Sequence, residues 1–149
     1  MAKGFFSNYV GLRLGTVSGL SPNLRQELIF NAMNLSAIRE RRVRVSNPNS
    51  SRSILFLSDL YKVVRKCVIH PNIPDGFYNV ASSTQTVGEF ARTIAAFHGA
   101  TIELMPDTPT YSFRLATQKA SRTFGVTFND NIVDHCKDFL SDLPQNLRK

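Results

Sequence analysis

The chain has 149 residues, 18 Lys and Arg against 11 Asp and Glu, and a net charge of +7. With 42% hydrophobic and 19% charged residues it can bury the core of one globular domain, which excludes disorder, collagen and coiled coil. No apolar run approaches the ~18–20 residues that cross a bilayer, and Met1-Ala-Lys-Gly-Phe-Phe-Ser lacks an apolar signal core, so no membrane partner and a cytoplasmic location are expected.

Residues 9–14 (YVGLRL) read as a short buried strand, followed by a loop marked by Gly15, Gly19 and Pro22. Over 24–39, Leu28, Ala32, Leu35 and Ile38 recur at helical spacing and predict a core helix. Val43 and Val45 alternate with arginines, Asn47-Pro-Asn-Ser-Ser makes a turn, and 54–57 reads as a second strand. Leu60, Val63, Val64, Cys67 and Val68 fill the i, i+3, i+4, i+7, i+8 template, which predicts a helix capped by Ser58 or Asp59. Beyond Pro71 and Pro74, residues 77–81 form a strand. Thr86-Val-Gly-Glu89 is a capping box opening a helix whose apolar face is Val87, Phe90, Ala91, Ile94 and Ala95, stopped by Gly99. Residues 102–104 read as a short strand, and 111–115 (YSFRL) as a one-sided strand with Arg114 on the face opposite Tyr111 and Phe113. A helix over 117–124 ends at Gly125, and Asn129 or Asp130 caps a last helix with Ile132, Val133, Cys136 and Leu140 on one side. Strands alternating with helices at this spacing predict an α/β layered fold with some parallel pairing.

Several chemistries lack their parts. Cys67 and Cys136 have no CxxC spacing and lie on apolar stripes, which suits inert packing, and His70, His98 and His135 stand apart without metal-ligand spacing. His98 continues the apolar stripe that starts at Val87 and reads as a core-edge histidine. Gly11, Gly15 and Gly19 follow a strand but precede Ser-Pro rather than a helix, so they make no dinucleotide fingerprint. Neither GxxxxGK[ST] nor GxSxG occurs. The run Arg39-Glu-Arg-Arg-Val-Arg44 could serve a nucleic-acid-associated protein. Without interleaved aromatics it reads instead as a solvated helix end, and no nucleic-acid partner is expected.

Four motifs, in order, carry a resemblance. Leu12-Arg-Leu-Gly-Thr-Val-Ser-Gly19, then Ser21-Pro22 and Arg25-x-Glu27-Leu28-x-x-Asn31, resembles the stretch after the catalytic helix in sugar-nucleotide epimerases and dehydratases, the extended short-chain dehydrogenases/reductases. Arg52-Ser-Ile-Leu-Phe-Leu-Ser-Asp59 is similar to that family's pattern of Arg, three residues, an aromatic, an aliphatic, one residue and Asp. Gly76-Phe-Tyr-Asn-Val80 with Thr86 and Glu89 resembles its later strand and capped helix, and Ser112-Phe-Arg-Leu-Ala-Thr-Gln-Lys119 the segment before its terminal helix.

The resemblance implies a partial Rossmann-type sheet, late strands only, with the C-terminal substrate-binding α/β lobe. Segments 8–20 and 76–98 would be remnants of the dinucleotide-binding sheet, and 21–75 and 99–149 the substrate lobe. In the family, the Gly-rich loop and the catalytic Tyr-x-x-x-Lys precede the position of Leu12. Here Arg13, Arg65, Ser82 and Leu115 stand four residues after Tyr9, Tyr61, Tyr78 and Tyr111, so no catalytic residue is assigned and no cofactor is expected on this chain alone. NAD or NADP is implied only for the intact family.

The resemblance also assigns binding residues for a nucleotide sugar. Arg52 would hold the diphosphate with its planar fork, Asn31 would contact substrate, and Thr16 sits at a strand end where open α/β sheets bind ligands. Tyr111 stands where the family usually has Arg, Ser18 where it has an aromatic, and Asn23 replaces a second Arg; Arg114 is placed to compensate. From spacing alone, Arg52 and Arg114 read as solvated arginines, a reading that only the resemblance reverses for Arg52, Asn31 as an exposed polar position and Thr16 as a turn hydroxyl. The strand 9–14 would have an unpaired edge and an uncovered apolar face, which predicts a separate chain carrying the cofactor-binding half, or self-association. The alternative function is a non-catalytic nucleotide-sugar-binding module.

Overall fold

The computed structural model describes residues 9–70 and 72–148; Asn8, Pro71 and Lys149, together with the N-terminal segment used above, lie outside the described residues. In chain order the elements are β1 (Val10–Leu14), β2 (Thr16–Ser18), α1 (Ile29–Glu40), β3 (Arg42–Val45), β4 (Ser51–Phe56), α2 (Leu57–Ile69), β5 (Gly76–Val80), β6 (Ser83–Thr86), α3 (Val87–His98), β7 (Thr101–Leu104), α4 (Gln118–Phe124) and α5 (Ile132–Asp142), with a final 3-10 turn at Gln145–Leu147. Parallel pairing dominates, as expected. β1 pairs with β5, β2 with β4 and β3 with β7, all parallel, and only β6 runs antiparallel to β4.

Two apolar cores explain this arrangement. In β4, Ile54 and Phe56 point into one and Leu55 into the other, so the run ILF is buried on both faces. The first core joins α1, α3 and α5 with β3, and Phe30 meets Phe56 and Phe139 edge-on at ring-centroid distances of 4.7 and 5.8 Å. The second gathers Val10 and Leu12 of β1, Tyr78 and Val80 of β5, Val63 of α2, and Ala120 and Phe124 of α4. Segment 76–98 is therefore divided: β5 lies beside β1, but α3 packs into the other core with α1 and α5.

The structure corrects several boundaries. The first helix starts at Ile29 rather than residue 24, because Asn31 Nδ2 donates to Arg25 O and holds the preceding residues as a turn. β4 begins at Ser51, and Leu57 belongs to α2. Phe56 occupies the N-cap of α2 without a side-chain bond, which places Ser58 and Asp59 inside its first turn. The last helix is capped by Asn131, whose side chain accepts from Val133 N at 3.0 Å, while Asn129 accepts from Asn131 N. Its fully buried residues are Ile132, His135, Cys136 and Phe139, with Val133 and Leu140 only half-buried. β2 and β6 are strands that the sequence reading left out.

Residues 111–115 are extended but not a strand. They follow β4 mainly through hydroxyls, with Ser51 N donating to Ser112 Oγ and Leu115 N to Ser53 Oγ, and no ladder forms. The Thr86 and Glu89 box forms as read, with Glu89 N to Thr86 Oγ1 at 3.2 Å and Thr86 N to Glu89 Oε2 at 2.7 Å. In α2 the expected stripe is covered only in part: Val63 is buried, Leu60 and Cys67 are half-buried, and Val64 and Val68 are exposed. Among the described residues β1 pairs with β5 alone, leaving the expected free edge.

Candidate functional site

The N-terminal end of β4 sets the site. Alternation along Ser51, Arg52 and Ser53 buries both serines and turns Arg52 the other way, toward a cavity of about 520 Å³ between α1, the β3–β4 turn and residues 108–110. Ala32, Met33 and Ser36 of α1 form one wall, and Asn47, Thr108 and Thr110 line another. The other arginines on this wall are already engaged. Arg44 pairs with Glu40 and Glu103, and Arg39 donates to Leu147 O and Gln26 Oε1. With Arg42 on Glu103 as well, most of the basic run is tied to its own carboxylates and carbonyls.

Arg52, like Arg39, has no carboxylate within ion-pair distance among the described residues. Its Nη1 donates to Ser51 O and Tyr111 O, its Nη2 to Thr110 Oγ1 at 2.6 Å, and its guanidinium lies over the Tyr111 ring, 5.0 Å from the centroid. A guanidinium has five N–H donors, so these bonds leave two for an incoming acceptor. Its charge has no carboxylate partner, which suits it to an anion with two oxygens spaced to accept from a guanidinium fork.

The strap that touches Arg52 is itself fixed. Asn47 adopts a left-handed backbone (φ 52°), its N–H donates to Asp107 Oδ1 at 2.6 Å, and its Oδ1 accepts from Thr108 N at 3.2 Å. Sequence reasoning missed Asn47, Thr108 and Thr110, since their roles come from contacts across some sixty residues of chain and no local pattern marks them.

The five residues singled out from sequence are not brought to one place. Thr16 and Asn31 line a separate cavity of about 410 Å³ together with Ser18, Asn23 and Arg25. Asn31 is buried rather than exposed, and its amide is committed: Oδ1 accepts from Gly19 N and Nδ2 donates to Arg25 O, each at 3.0 Å. It thereby holds the β2–α1 loop. Tyr111 stands at the rim of the Arg52 cavity with an exposed ring. Arg114 donates to Ser51 Oγ at 3.3 Å and does not line that cavity.

Glu27 and Glu40 also line the cavity, each on an arginine, Glu27 with Arg25 and Glu40 with Arg44, while the thiols and His98 lie outside it. Cys67 and Cys136 are both free thiols; burial raises the first, and pushes the second up to about 12. Burial, and secondarily the charge of Arg41, lowers His98, which shares a 2.8 Å hydrogen bond with Asn34 Oδ1. At the end of β1 the chain passes through Gly15 directly into β2, so no helix N-terminus stands there to receive a pyrophosphate. The Phe77 ring fills the space over Gly11, where an added Cβ would meet it at 2.4 Å.

No protein-family model matches the chain, and no curated protein matches it. Solved structures do. MoeE5 in complex with UDP-glucuronic acid and NAD superposes with a TM-score of 0.73 at 16% identity, over 90% of this chain and 46% of that one. The UDP-N-acetylglucosamine 4-epimerase of Bacillus cereus gives 0.70 at 19% identity, over 91% and 47%. The dTDP-glucose 4,6-dehydratase of Bacillus anthracis, in complex with NAD, gives 0.69 at 18% identity, over 89% and 45%. The fold is thus that of part of the Rossmann-type, NAD-dependent sugar-nucleotide epimerases and dehydratases, and this chain spans less than half of their length.

Proposed function

We propose that the chain is the nucleotide-sugar-holding, C-terminal portion of an NAD(P)-dependent epimerase or dehydratase, acting in the cytoplasm and not catalytic by itself. One observation carries the reading: Arg52 projects into a cavity large enough for a nucleotide with donors to spare and no acidic partner among the described residues. A diphosphate supplies the missing charge, and Thr110, whose Oγ1 accepts from Arg52, keeps its hydroxyl proton for the rest of the ligand, while the Ser36 and Thr108 hydroxyls donate to Arg42 O and Asn47 Oδ1.

Solved structures of the same fold include complexes with UDP-glucuronic acid and with UDP-glucose, which supports that ligand class. The described residues do not fit NAD, because the β1 end lacks both a Gly-rich turn and a helix N-terminus. Hydride transfer would therefore rest on a Gly-rich loop and a Tyr/Lys pair outside these residues.

Thermal unfolding with UDP-glucose, UDP-N-acetylglucosamine and dTDP-glucose tests the reading. A ligand at ~100 times its Kd adds about 2.7 kcal/mol, which for a domain near this size raises Tm by about 5–10 °C. The rise is expected to vanish in Arg52→Ala. No rise with any of the three ligands, or an equal rise in the variant, would overturn it.

A further inference from the structure

A small cavity of about 140 Å³ opens between α5, the loop after β2 and the start of α2. Its inner wall is apolar, made by the buried rings of Phe30, Phe56 and Phe139. Its polar side comes chiefly from α5, where His135, Asp138 and Asp142 recur at i, i+3 and i+7 and so share one helical face. None of these three lines the Arg52 cavity.

His135 is 5% exposed, and its ring stacks on Phe56 with centroids 3.5 Å apart. Nε2 lies 2.9 Å from Asn129 O, and a carbonyl oxygen can only accept, so Nε2 carries the proton of that bond. In the neutral ring this fixes the tautomer and leaves Nδ1 with a free lone pair. Nδ1 has no hydrogen-bond partner among the described residues. Every fully enclosed side-chain nitrogen and oxygen of those residues is bonded, so this unpartnered atom opens onto the cavity. A buried ring, held by stacking and by a backbone carbonyl, thus presents one acceptor there.

The charge around that acceptor is negative. Neither Asp138 nor Asp142 has an ion-pair partner among the described residues, although the chain carries +7, and no Lys or Arg of those residues lines the cavity. Asp142 Oδ1 accepts from Ser141 Oγ at 3.1 Å, which leaves its charge in place. The first turn of α2, at Leu57 and Ser58, sets about half a positive charge against the two carboxylates, so a cation is favoured over an anion. Among the described residues no three His, Cys, Asp or Glu side chains are grouped to hold a metal ion, which favours a hydrogen-bonding cation over a coordinated one. One ring nitrogen and two carboxylates match the three N–H donors of an ammonium.

We propose that this cavity binds the protonated head of a small primary amine, with His135 Nδ1 and the Asp138 and Asp142 carboxylates as acceptors and the alkyl chain against Leu20 and Phe139. The volume is roughly five times a water molecule's share of the liquid, room for an ammonium with about three or four carbons and far too little for a nucleotide. The site is separate from the Arg52 cavity and does not rest on the nucleotide-sugar reading.

The test titrates the nitrogen-15-labelled chain with n-propylamine hydrochloride at constant pH and ionic strength, and follows His135 Nδ1 in long-range proton–nitrogen spectra; 1-propanol and sodium propionate are the matched controls. Expected are a saturable shift of Nδ1 with the amine alone and, in Asp138→Asn/Asp142→Asn, a Kd raised by about tenfold. Both aspartates are exposed, so the variant keeps its fold, which an unchanged Tm confirms. Three results would overturn the proposal: no saturable shift with the amine, a shift of equal size with 1-propanol, which makes the cavity an apolar cleft only, or a Kd that the paired substitution leaves unchanged.

Discussion

Replacing Asp59 probes how the C-terminal third of the chain is held to the rest. Asp59 lies in the first turn of α2 with its carboxylate wholly buried; Oδ1 accepts from Lys62 Nζ at 2.7 Å and Oδ2 from Asn129 N at 2.9 Å. The two bonds differ in consequence. The Lys62 side chain is 47% exposed, so when Asp59 is replaced the ammonium returns to water and adds less than about 0.5 kcal/mol to the cost; Lys62→Met is the harsher change, because it leaves the wholly buried carboxylate without its counter-ion, for about 3 kcal/mol. Asn129 N–H is part-buried in the loop between α4 and α5, and Asp59→Ala strips it of its acceptor while leaving a small void, for about 2–3 kcal/mol. At roughly 3 °C per kcal/mol for a domain near this size, Tm should fall by about 6–9 °C. Asp59→Asn keeps one acceptor oxygen and should cost less than Asp59→Ala. Urea titrations of the three variants decide the matter, since the midpoint reports stability if the slope holds. Should Asp59→Asn, which keeps an acceptor for Asn129 N–H, cost as much as Asp59→Ala, the contact with Asn129 contributes nothing and the reasoning fails.

Two further outcomes follow from burial. Cys136, pushed up to about 12 and enclosed by the first core, should resist iodoacetamide at pH 8 until the chain unfolds, whereas half-buried Cys67 should react first in the native protein; the order of modification by mass spectrometry checks this. His98 is held below its ordinary value near 6.5, so between the folded and unfolded values the unfolded chain binds more protons. Stability should accordingly decline as pH falls below about 6.5, and Tm measured against pH should show a shallower decline in His98→Gln.

How much was legible depended on how local the cause was. The cap of α3 could be read to the residue because Thr86 and Glu89 complete it within one turn. β2 (TVS) and β6 (STQT) could not, since such short, mostly polar runs specify no strand by themselves; pairing with β4 makes them so. Periodicity found the apolar face of α2 but not its cover, because a repeat of valines reports what a helix would bury and not whether a neighbour is present. Arg52 was singled out by resemblance, while the features that free it for a ligand, Glu40 and Glu103 taken up by Arg44 and the strap through Thr110, depend on the folded chain. Asn31 shows the converse. Its place on the first helix is legible in the sequence, yet its amide bonds Gly19 N and Arg25 O rather than standing open.

The claim that a nucleotide diphosphate seats against Arg52 is tested most directly by NMR, following the Arg52 Nε–H resonance and the amides of Thr108 and Thr110 during titration with UDP-glucose and with free glucose. A saturable shift of all three with UDP-glucose and none with glucose is the predicted result. Shifts confined to the residues around Thr16 and Asn31, or no shift at millimolar nucleotide sugar, would contradict it.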